Sequence, residues 1–250
     1  MNHAAPRGGT VRTIRLLVAL ALLFATAAHA GRLYLRWNAC FGDGGVQNRA
    51  FACDTNLGSE QLVATFNLPV AVDSVMSVDG FINIYFFGPA LPAWWEFGVA
   101  GNCRPSSLVA SATLPAGASS CIDFADFTRD AFYIYQAGPF PNTARLEVLS
   151  PFIPQGAFHL AAGQEYLAFT VTINQQKTVG AGACDGCLGP VCLGFDQMRL
   201  MRRPPDFVNV FPTSGTTHVA TWQGSTIPFF CVGNTPTRRS TWGEVKALYR

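Results

Sequence analysis

The sequence predicts an all-β protein: a single β-sandwich or jelly-roll-like domain, stabilised by disulfides and ending in a short helix. Three observations support this prediction. Short segments in which apolar and polar residues alternate recur along the chain, and a period of two is that of a strand with one buried face. The 24 glycines and 16 prolines are spread between these segments, as in sandwiches and barrels. Eight cysteines, an even number, lie beyond a leader-like N-terminus, which is typical of a disulfide framework.

About ten strands are expected from this alternation. They cover residues 33–37, 62–68, 70–87, 108–114, 132–135, 144–149, 167–173, 191–200 and 217–222. Asp79-Gly80 is expected to divide the third stretch into two strands or to form a hairpin turn. Near the C-terminus, Thr241 and Glu244 have the spacing of a capping box. It predicts a helix of about nine residues, which must dock on the body to persist.

The most informative stretch runs from residue 165 to residue 203. It consists of an alternating strand, a glycine-rich loop with three cysteines, and a second alternating strand. Met198 and Leu200 continue the second apolar pattern after a slip of one residue. Such a slip predicts a β-bulge near Asp196-Gln197. We interpret the whole stretch as a hairpin whose tip is pinned by disulfides.

The first thirty residues have the pattern of a secretory signal peptide. Arg7, Arg12 and Arg15 form a positive segment without acidic residues, and an apolar run of 13 residues follows from Leu16 to Ala28. Ala28-His29-Ala30 is an A-x-A cleavage pattern. We therefore divide the chain into a signal peptide, 1–30, and a β-sandwich domain, 31–250. The mature protein is expected to be secreted, extracellular or periplasmic, after cleavage near Ala30-Gly31.

Charge argues against nucleic acid as a partner. The leader contains three of the 17 Lys and Arg residues and no acid, so 14 basic residues face 15 acidic ones in the rest. This balance lacks the basic footprint of a nucleic-acid-binding protein. No second apolar run of 18 residues occurs, so no membrane-spanning helix is expected.

The cysteines have three alternative interpretations. As disulfides, Cys40 with Cys53 and Cys103 with Cys121 are plausible pairs. The four remaining cysteines allow three connectivities, of which we favour Cys184–Cys187 with Cys192–Cys231. As a zinc site, the C-x2-C pair and Cys192 need Cys231 or His218 as fourth ligand, and only one of the two usual knuckles is present. A thioredoxin-like redox site needs a helix after C-x2-C, and glycines and a proline surround this motif instead. We favour disulfides and expect no metal or cofactor.

The sequence gives only weak evidence for a set of catalytic residues. Only His159 and His218 follow the leader, and G-x-S-x-G is absent. Asp123, Asp126 and Asp130 would share one face of a helix, and paired carboxylates hydrolyse glycosides. An extracellular carboxylate-dependent hydrolase, similar to a glycosidase, is therefore the alternative function.

Trp94, Trp95 and Trp222 are the candidate binding residues. An exposed aromatic ring on a β-sandwich can stack on a sugar ring, although large aromatic residues are usually buried. The favoured function is thus a secreted, non-enzymatic binding or structural module, with carbohydrate or another cell-surface component as its partner.

Several segments together resemble a group of uncharacterised bacterial secreted proteins. They are Trp37-Asn-Ala-Cys40, Leu91-Pro-Ala-Trp94-Trp95, Asn142-Thr-Ala-Arg145, Gly163-Gln-Glu-Tyr166, Lys177-Thr-Val-Gly-Ala-Gly-Ala-Cys184 with Gly186-Cys187, Pro190-Val-Cys192 and the ending Thr241-Trp-Gly-Glu-Val-Lys-Ala-Leu-Tyr-Arg250. The resemblance spans nearly all of the chain after the leader, and the ending is its most specific segment. It implies a bacterial exported protein and assigns no activity to any residue.

Overall fold

The computed structural model describes residues 28–123, 131–151, 158–203, 206–213 and 215–224. The predicted all-β fold is confirmed, and the one helical element among these residues is a 3₁₀ turn at Ala93–Trp95. The strands are β1 (Ala28–Trp37), β2 (Asn48–Arg49), β3 (Ser59–Asn67), β4 (Val72–Phe86), β5 (Leu108–Ser111), β6 (Phe132–Ala137), β7 (Thr143–Pro151), β8 (Phe158–Leu160), β9 (Tyr166–Asn174), β10 (Val191–Arg202), β11 (Asp206–Pro212) and β12 (Val219–Trp222).

The strands form one continuous sheet in the order β5-β9-β3-β1-β11-β10-β4-β7-β6. Off this path, β12 pairs with β10 and β2, and β8 pairs with β4. The two end strands, β5 and β6, contact each other. The sheet therefore curls into a nearly closed sandwich around a single large apolar core.

β1 connects the two halves of this sandwich. Its first residues, 28–31, pair in parallel with β11. The following residues, 32–37, pair antiparallel with β3. Leu33, Leu35 and Trp37 point into the core and are at most 1% exposed, as their alternation predicts.

β4 is a single strand of 15 residues, so the prediction that Asp79-Gly80 divides it is wrong. Gly80 lies opposite the rings of Phe169 and Phe195. A Cβ atom at Gly80 would lie 2.1 Å from Phe169 Cε1 and 3.0 Å from Phe195 Cε2. The glycine is required by close packing across the core rather than by a turn.

The predicted hairpin at residues 165–203 is also wrong, although both of its strands are present. β9 pairs with β3 and β5, whereas β10 pairs with β4, β11 and β12. The two strands face each other across the core, with the Phe169 and Phe195 rings 5.5 Å apart. The predicted bulge is confirmed, since the register of β10 against β4 shifts between Phe195 and Gln197.

Some sequence predictions concern residues outside the described part of the chain. These are the apolar leader segment before Ala28, the C-terminal helix with its capping box, the acidic pair Asp126 and Asp130, and Cys231 as the partner of Cys192. Within the described residues, no helix has the length and hydropathy needed to cross a membrane.

Candidate functional site

The three tryptophans predicted to bind ligand do lie together, but in the core. Trp94 and Trp95 stand in the 3₁₀ turn and Trp222 in β12, and all three are 0% exposed. The Trp222 ring lies 4.9 Å from that of Trp94 and 5.5 Å from that of Trp95. Trp222 Nε1 donates to the Cys187 carbonyl at 2.7 Å, and Trp94 Nε1 donates to Thr178 Oγ1 at 3.1 Å. The prediction of an exposed sugar-stacking platform is therefore wrong for these residues.

The tryptophans belong to a larger aromatic cluster at the loop end of the sandwich. Phe51 stacks on Trp222 with ring centroids 3.8 Å apart, and Trp37 meets both rings edge-on. Phe97 meets Trp94 and Trp95 in the same way. Burial of so many large rings provides much of the stabilisation of this end of the fold.

Two disulfides close the loops around this aromatic cluster, and a third lies elsewhere. The bonded pairs are Cys53–Cys187, Cys103–Cys184 and Cys40–Cys121. Cys192 is also disulfide-bonded. Every cysteine of the described residues is therefore oxidised.

The pairs expected from the sequence differ from these. Cys40–Cys53, Cys103–Cys121 and Cys184–Cys187 are each wrong, because strand order rather than nearness in sequence decides which cysteines meet. Cys40 follows β1 and Cys121 precedes the bridge between Ile122 and β9. β3 lies between β1 and β9, which brings these two cysteines to the same end of the sheet. The zinc and redox alternatives also fail, since Cys184 and Cys187 are bonded to other cysteines.

Arg104 is a buried cation that sequence patterns did not reveal. It is 1% exposed, and its guanidinium carbon lies 3.5 Å from the centroid of the Trp94 ring. The guanidinium donates to the carbonyls of Trp94 at 2.8 Å, Gln176 at 3.0 Å and Asn174. Burial lowers the pKa of Arg104 to about 9. The contacts join the aromatic cluster to the loop after β9, so Arg104 has a structural role.

Two carboxylates fasten the loops beside the Cys40–Cys121 disulfide. Glu165 accepts hydrogen bonds from the backbone N–H groups of Phe41 and Gly42, each at 3.0 Å, and from the hydroxyl of Thr65 at 2.6 Å. Asp43 accepts from the hydroxyl of Ser119 at 2.6 Å and from the backbone N–H groups of residues 119 and 120. These acids stabilise backbone and leave few lone pairs for a substrate.

The best candidate for a functional site is a polar cluster on the outer face of the sheet, at the bulge of β10. We call it the Asp196 cluster; its members are Asn83, Tyr85, Arg145, Asp196 and His218. Asn83 donates to Asp196 Oδ2 at 2.6 Å, and His218 Nε2 lies 3.7 Å from Asp196 Oδ1. The bulge puts Asp196 on the outer face immediately before Gln197, as bulges near functional sites often re-aim a side chain.

Burial is the main cause of the shifted pKa values of three members of the Asp196 cluster. Burial raises the pKa of Asp196, which the Asn83 hydrogen bond and the charges of His218 and Arg145 oppose. Burial lowers the pKa of His218, and the Asp196 carboxylate opposes this shift. The pKa of Tyr85 is raised to about 12, by burial first and by the Asp196 charge second. Perturbed groups that converge from several strands are typical of functional sites, although structural networks produce them too.

A row of aromatic and charged residues continues from this cluster across β7, β4 and β10. The guanidinium groups of Arg145 and Arg199 lie 4.3 and 4.5 Å from the centroid of the Phe81 ring. Arg199 Nη2 is 3.4 Å from Glu147 Oε1. Asp79 lies across from Arg199 in the β-ladder, and burial raises its pKa. The outer face therefore presents an alternating set of cations, carboxylates and amides.

The Asp196 cluster contains no evident nucleophile among the described residues. Asp196 and His218 have the residue types of a catalytic pair. Among the described residues, however, no serine, threonine or cysteine side chain hydrogen-bonds to the imidazole, and the Nδ1 atom of His218 has no hydrogen-bond partner. A triad requires such a contact. For the alternative hydrolase, Asp123 is half-buried, and Asp126 is outside the described residues.

Metal binding finds no support in the described ranges. One group there, Cys40, Asp43 and Cys121, brings three ligand atoms within 4.8 Å of one another. Both sulfur atoms of this group are bonded in a disulfide, so they offer no thiolate.

Comparison with known proteins adds no family to this description. No protein-family model matches the chain, and no curated protein matches it. Because a fold alone does not imply a function, the function has to be argued from the residues described above.

Proposed function

We propose that the protein is an exported, non-enzymatic module that binds or supports a component outside the cytoplasm. The observation that carries the proposal is the oxidised state of every described cysteine. The three bonds with both cysteines among the described residues join positions 81 or 134 apart in the sequence. Such bonds persist in oxidising compartments and are rare in reducing ones. The signal-peptide pattern at the N-terminus supports the same compartment.

The hydrogen bonds made by the polar side chains support a non-enzymatic role. Arg104, Glu165 and Asp43 all satisfy backbone or neighbouring side-chain groups. His218 lies beside the Asp196 carboxylate, and within the described ranges no serine, threonine or cysteine side chain hydrogen-bonds to its imidazole. These groups hold loops in place, as a rigid scaffold for recognition requires.

The binding surface that we propose is the outer face around the Asp196 cluster. Asp196, Glu147 and Arg199 retain side-chain exposures of 22%, 25% and 35%. Carboxylate, amide and guanidinium groups supply both acceptors and donors for hydroxyl groups. We therefore propose a hydroxyl-rich partner, such as cell-surface carbohydrate, recognised by hydrogen bonds rather than by tryptophan stacking.

The compartment is tested by the mass of the exported protein with and without reductant. We expect four disulfides, which lower the intact mass by about 8 Da relative to the reduced chain. Thiols that react with an alkylating reagent before reduction, in protein taken from outside the cytoplasm, would contradict the proposal.

The partner class is tested by sedimentation of the protein with cell-wall polysaccharide. Gln197→Ala, on the outer face, is expected to weaken binding several-fold without changing thermal unfolding. The matched control is Gln176→Ala, an exposed glutamine in the loop after β9. Equal binding by both variants would exclude this face as the carbohydrate site.

A further inference from the structure

The start of β1 contains residues that the expected cleavage would remove. Ala28, His29, Ala30 and Gly31 pair in parallel with residues 209–212 of β11. Cleavage after Ala30 leaves only the last of these four residues. The other edge of β11 is already paired with β10, so the loss would convert an interior strand into an edge strand.

That new edge would be unfavourable. Phe207 and Phe211 of β11 are already 38% and 42% exposed. An unpaired edge with exposed apolar side chains is a template for aggregation, which native proteins avoid by covering it. Retention of residues 28–30 provides this cover within the chain itself.

Gly31 is a poor position for a chain terminus. It is buried, and its α-carbon is so enclosed that a Cβ atom would lie 2.5 Å from Val210 Cγ1 and 3.0 Å from the Asn67 carbonyl oxygen. Cleavage before Gly31 would place a charged ammonium group here. Burial of a charge is costly unless the charge is paired, and the three atoms nearest to a Cβ at Gly31 belong to Val210, Leu68 and the Asn67 carbonyl rather than to a carboxylate.

The sequence offers a second cleavage pattern three residues upstream. Ala25-Thr26-Ala27 is also A-x-A, and it ends immediately before Ala28, the first residue of β1. We propose that the leader is removed by hydrolysis of the Ala27–Ala28 bond. Water adds across this amide, which leaves a carboxylate on Ala27 and the new α-amino group on Ala28. The inference rests on the proposed export and specifies the processing site.

N-terminal sequencing and intact mass of the exported protein test the inference. We expect a chain that begins at Ala28, heavier than the alternative by the residues Ala, His and Ala. A chain that begins at Gly31 would overturn the inference and leave the proposed export intact. An unprocessed chain that begins at Met1 and stays in the cytoplasm would overturn both.

Two matched variants separate the two cleavage patterns, since the leader is cut before folding. Ala30→Val disrupts only the downstream pattern and is expected to leave processing at Ala27–Ala28 unchanged. Ala27→Val disrupts only the upstream pattern and is expected to accumulate precursor or to shift cleavage to Ala30–Gly31. The reverse result, loss of processing in Ala30→Val and normal processing in Ala27→Val, would overturn the inference.

Discussion

At the scale of single residues, Arg104 shows how a buried cation is accommodated by carbonyl groups and an aromatic ring, with no acidic partner among the described residues. Three backbone carbonyls accept from its guanidinium, and the ring of Trp94 covers one face. A planar fork of donors is needed for this arrangement, and lysine does not supply it. We expect Arg104→Lys to lower the free energy of unfolding by about 2–4 kcal/mol, measured by urea denaturation under non-reducing conditions.

Arg32→Lys is the control for this prediction. Arg32 is exposed on β1, so the same exchange should change stability by less than about 0.5 kcal/mol. Equal effects at both positions would show that the fork geometry at Arg104 does not matter.

The Asp196 cluster makes stability depend on pH through His218. Burial lowers the pKa of His218 below the ordinary histidine value of 6.5. Between these two pH values, the unfolded chain binds a proton that the folded chain does not bind. The stabilisation is complete above 6.5 and is lost as pH falls through the folded pKa. The raised pKa of Asp196 acts in the opposite sense at pH values above the ordinary aspartate value of 3.8, because there the folded chain binds the additional proton. We therefore expect the melting temperature to fall on acidification just below pH 6.5.

Replacement of the histidine tests this dependence. His218→Gln should flatten the fall in melting temperature below pH 6.5, because no group at this position then takes up the proton on unfolding. His159→Gln is the control, since the His159 side chain is 60% exposed. An unchanged pH profile in His218→Gln would contradict the assignment.

At the scale of elements, Gly80 determines how closely β4 approaches the opposite half of the sandwich. Its missing Cβ leaves space for the ring of Phe169, which is itself 0% exposed. We expect Gly80→Ala to destabilise the protein by about 1–3 kcal/mol, the usual cost of overpacking. Chemical denaturation of the oxidised protein measures this loss.

A double-mutant cycle with Phe169→Leu distinguishes overpacking from a backbone effect. If the ring is the obstacle, the smaller side chain removes part of the penalty of Gly80→Ala, and the two changes couple. Strictly additive effects would indicate that the glycine acts through the backbone of β4 instead.

Individual elements were predictable from sequence because their signals are local. The alternation in β9 and the phase slip at Asp196-Gln197 depend on neighbouring residues, and both correspond to observed features. The partners of a strand depend on distant segments. Local signals alone therefore predict a hairpin for this stretch, although Phe169 and Phe195 face each other from two halves of the sandwich.

At the scale of the whole molecule, the same limit applies to the cysteines and to the site. The even cysteine count predicts disulfides, but only the strand order brings Cys53 to Cys187. The Asp196 cluster likewise combines residues separated by more than 130 positions, such as Asn83 and His218. The sequence predicts the bulge at Asp196-Gln197, but the partners of Asp196 on β4 and β7 leave no signal in the sequence.

The disulfides should not be equivalent in their effect on stability. In the chain-entropy model, bonds that close loops of this size each contribute about 4–5 kcal/mol, and loop length alone barely separates them. The packing around the disulfides does distinguish them. Cys184 and Cys187 belong to the large core with the aromatic cluster, whereas Cys40 and Cys121 belong to a small separate cluster. Removal of either bond at the aromatic cluster should therefore also loosen the tryptophan packing.

Double cysteine-to-alanine variants of the protein test this difference. We expect Cys53→Ala/Cys187→Ala to lower the melting temperature more than Cys40→Ala/Cys121→Ala, and to shift tryptophan fluorescence towards that of exposed indole. Trp222 donates to the Cys187 carbonyl, so its environment changes directly when this loop is released. Equal losses of melting temperature, with fluorescence unchanged in both variants, would show that these bonds act through chain entropy alone.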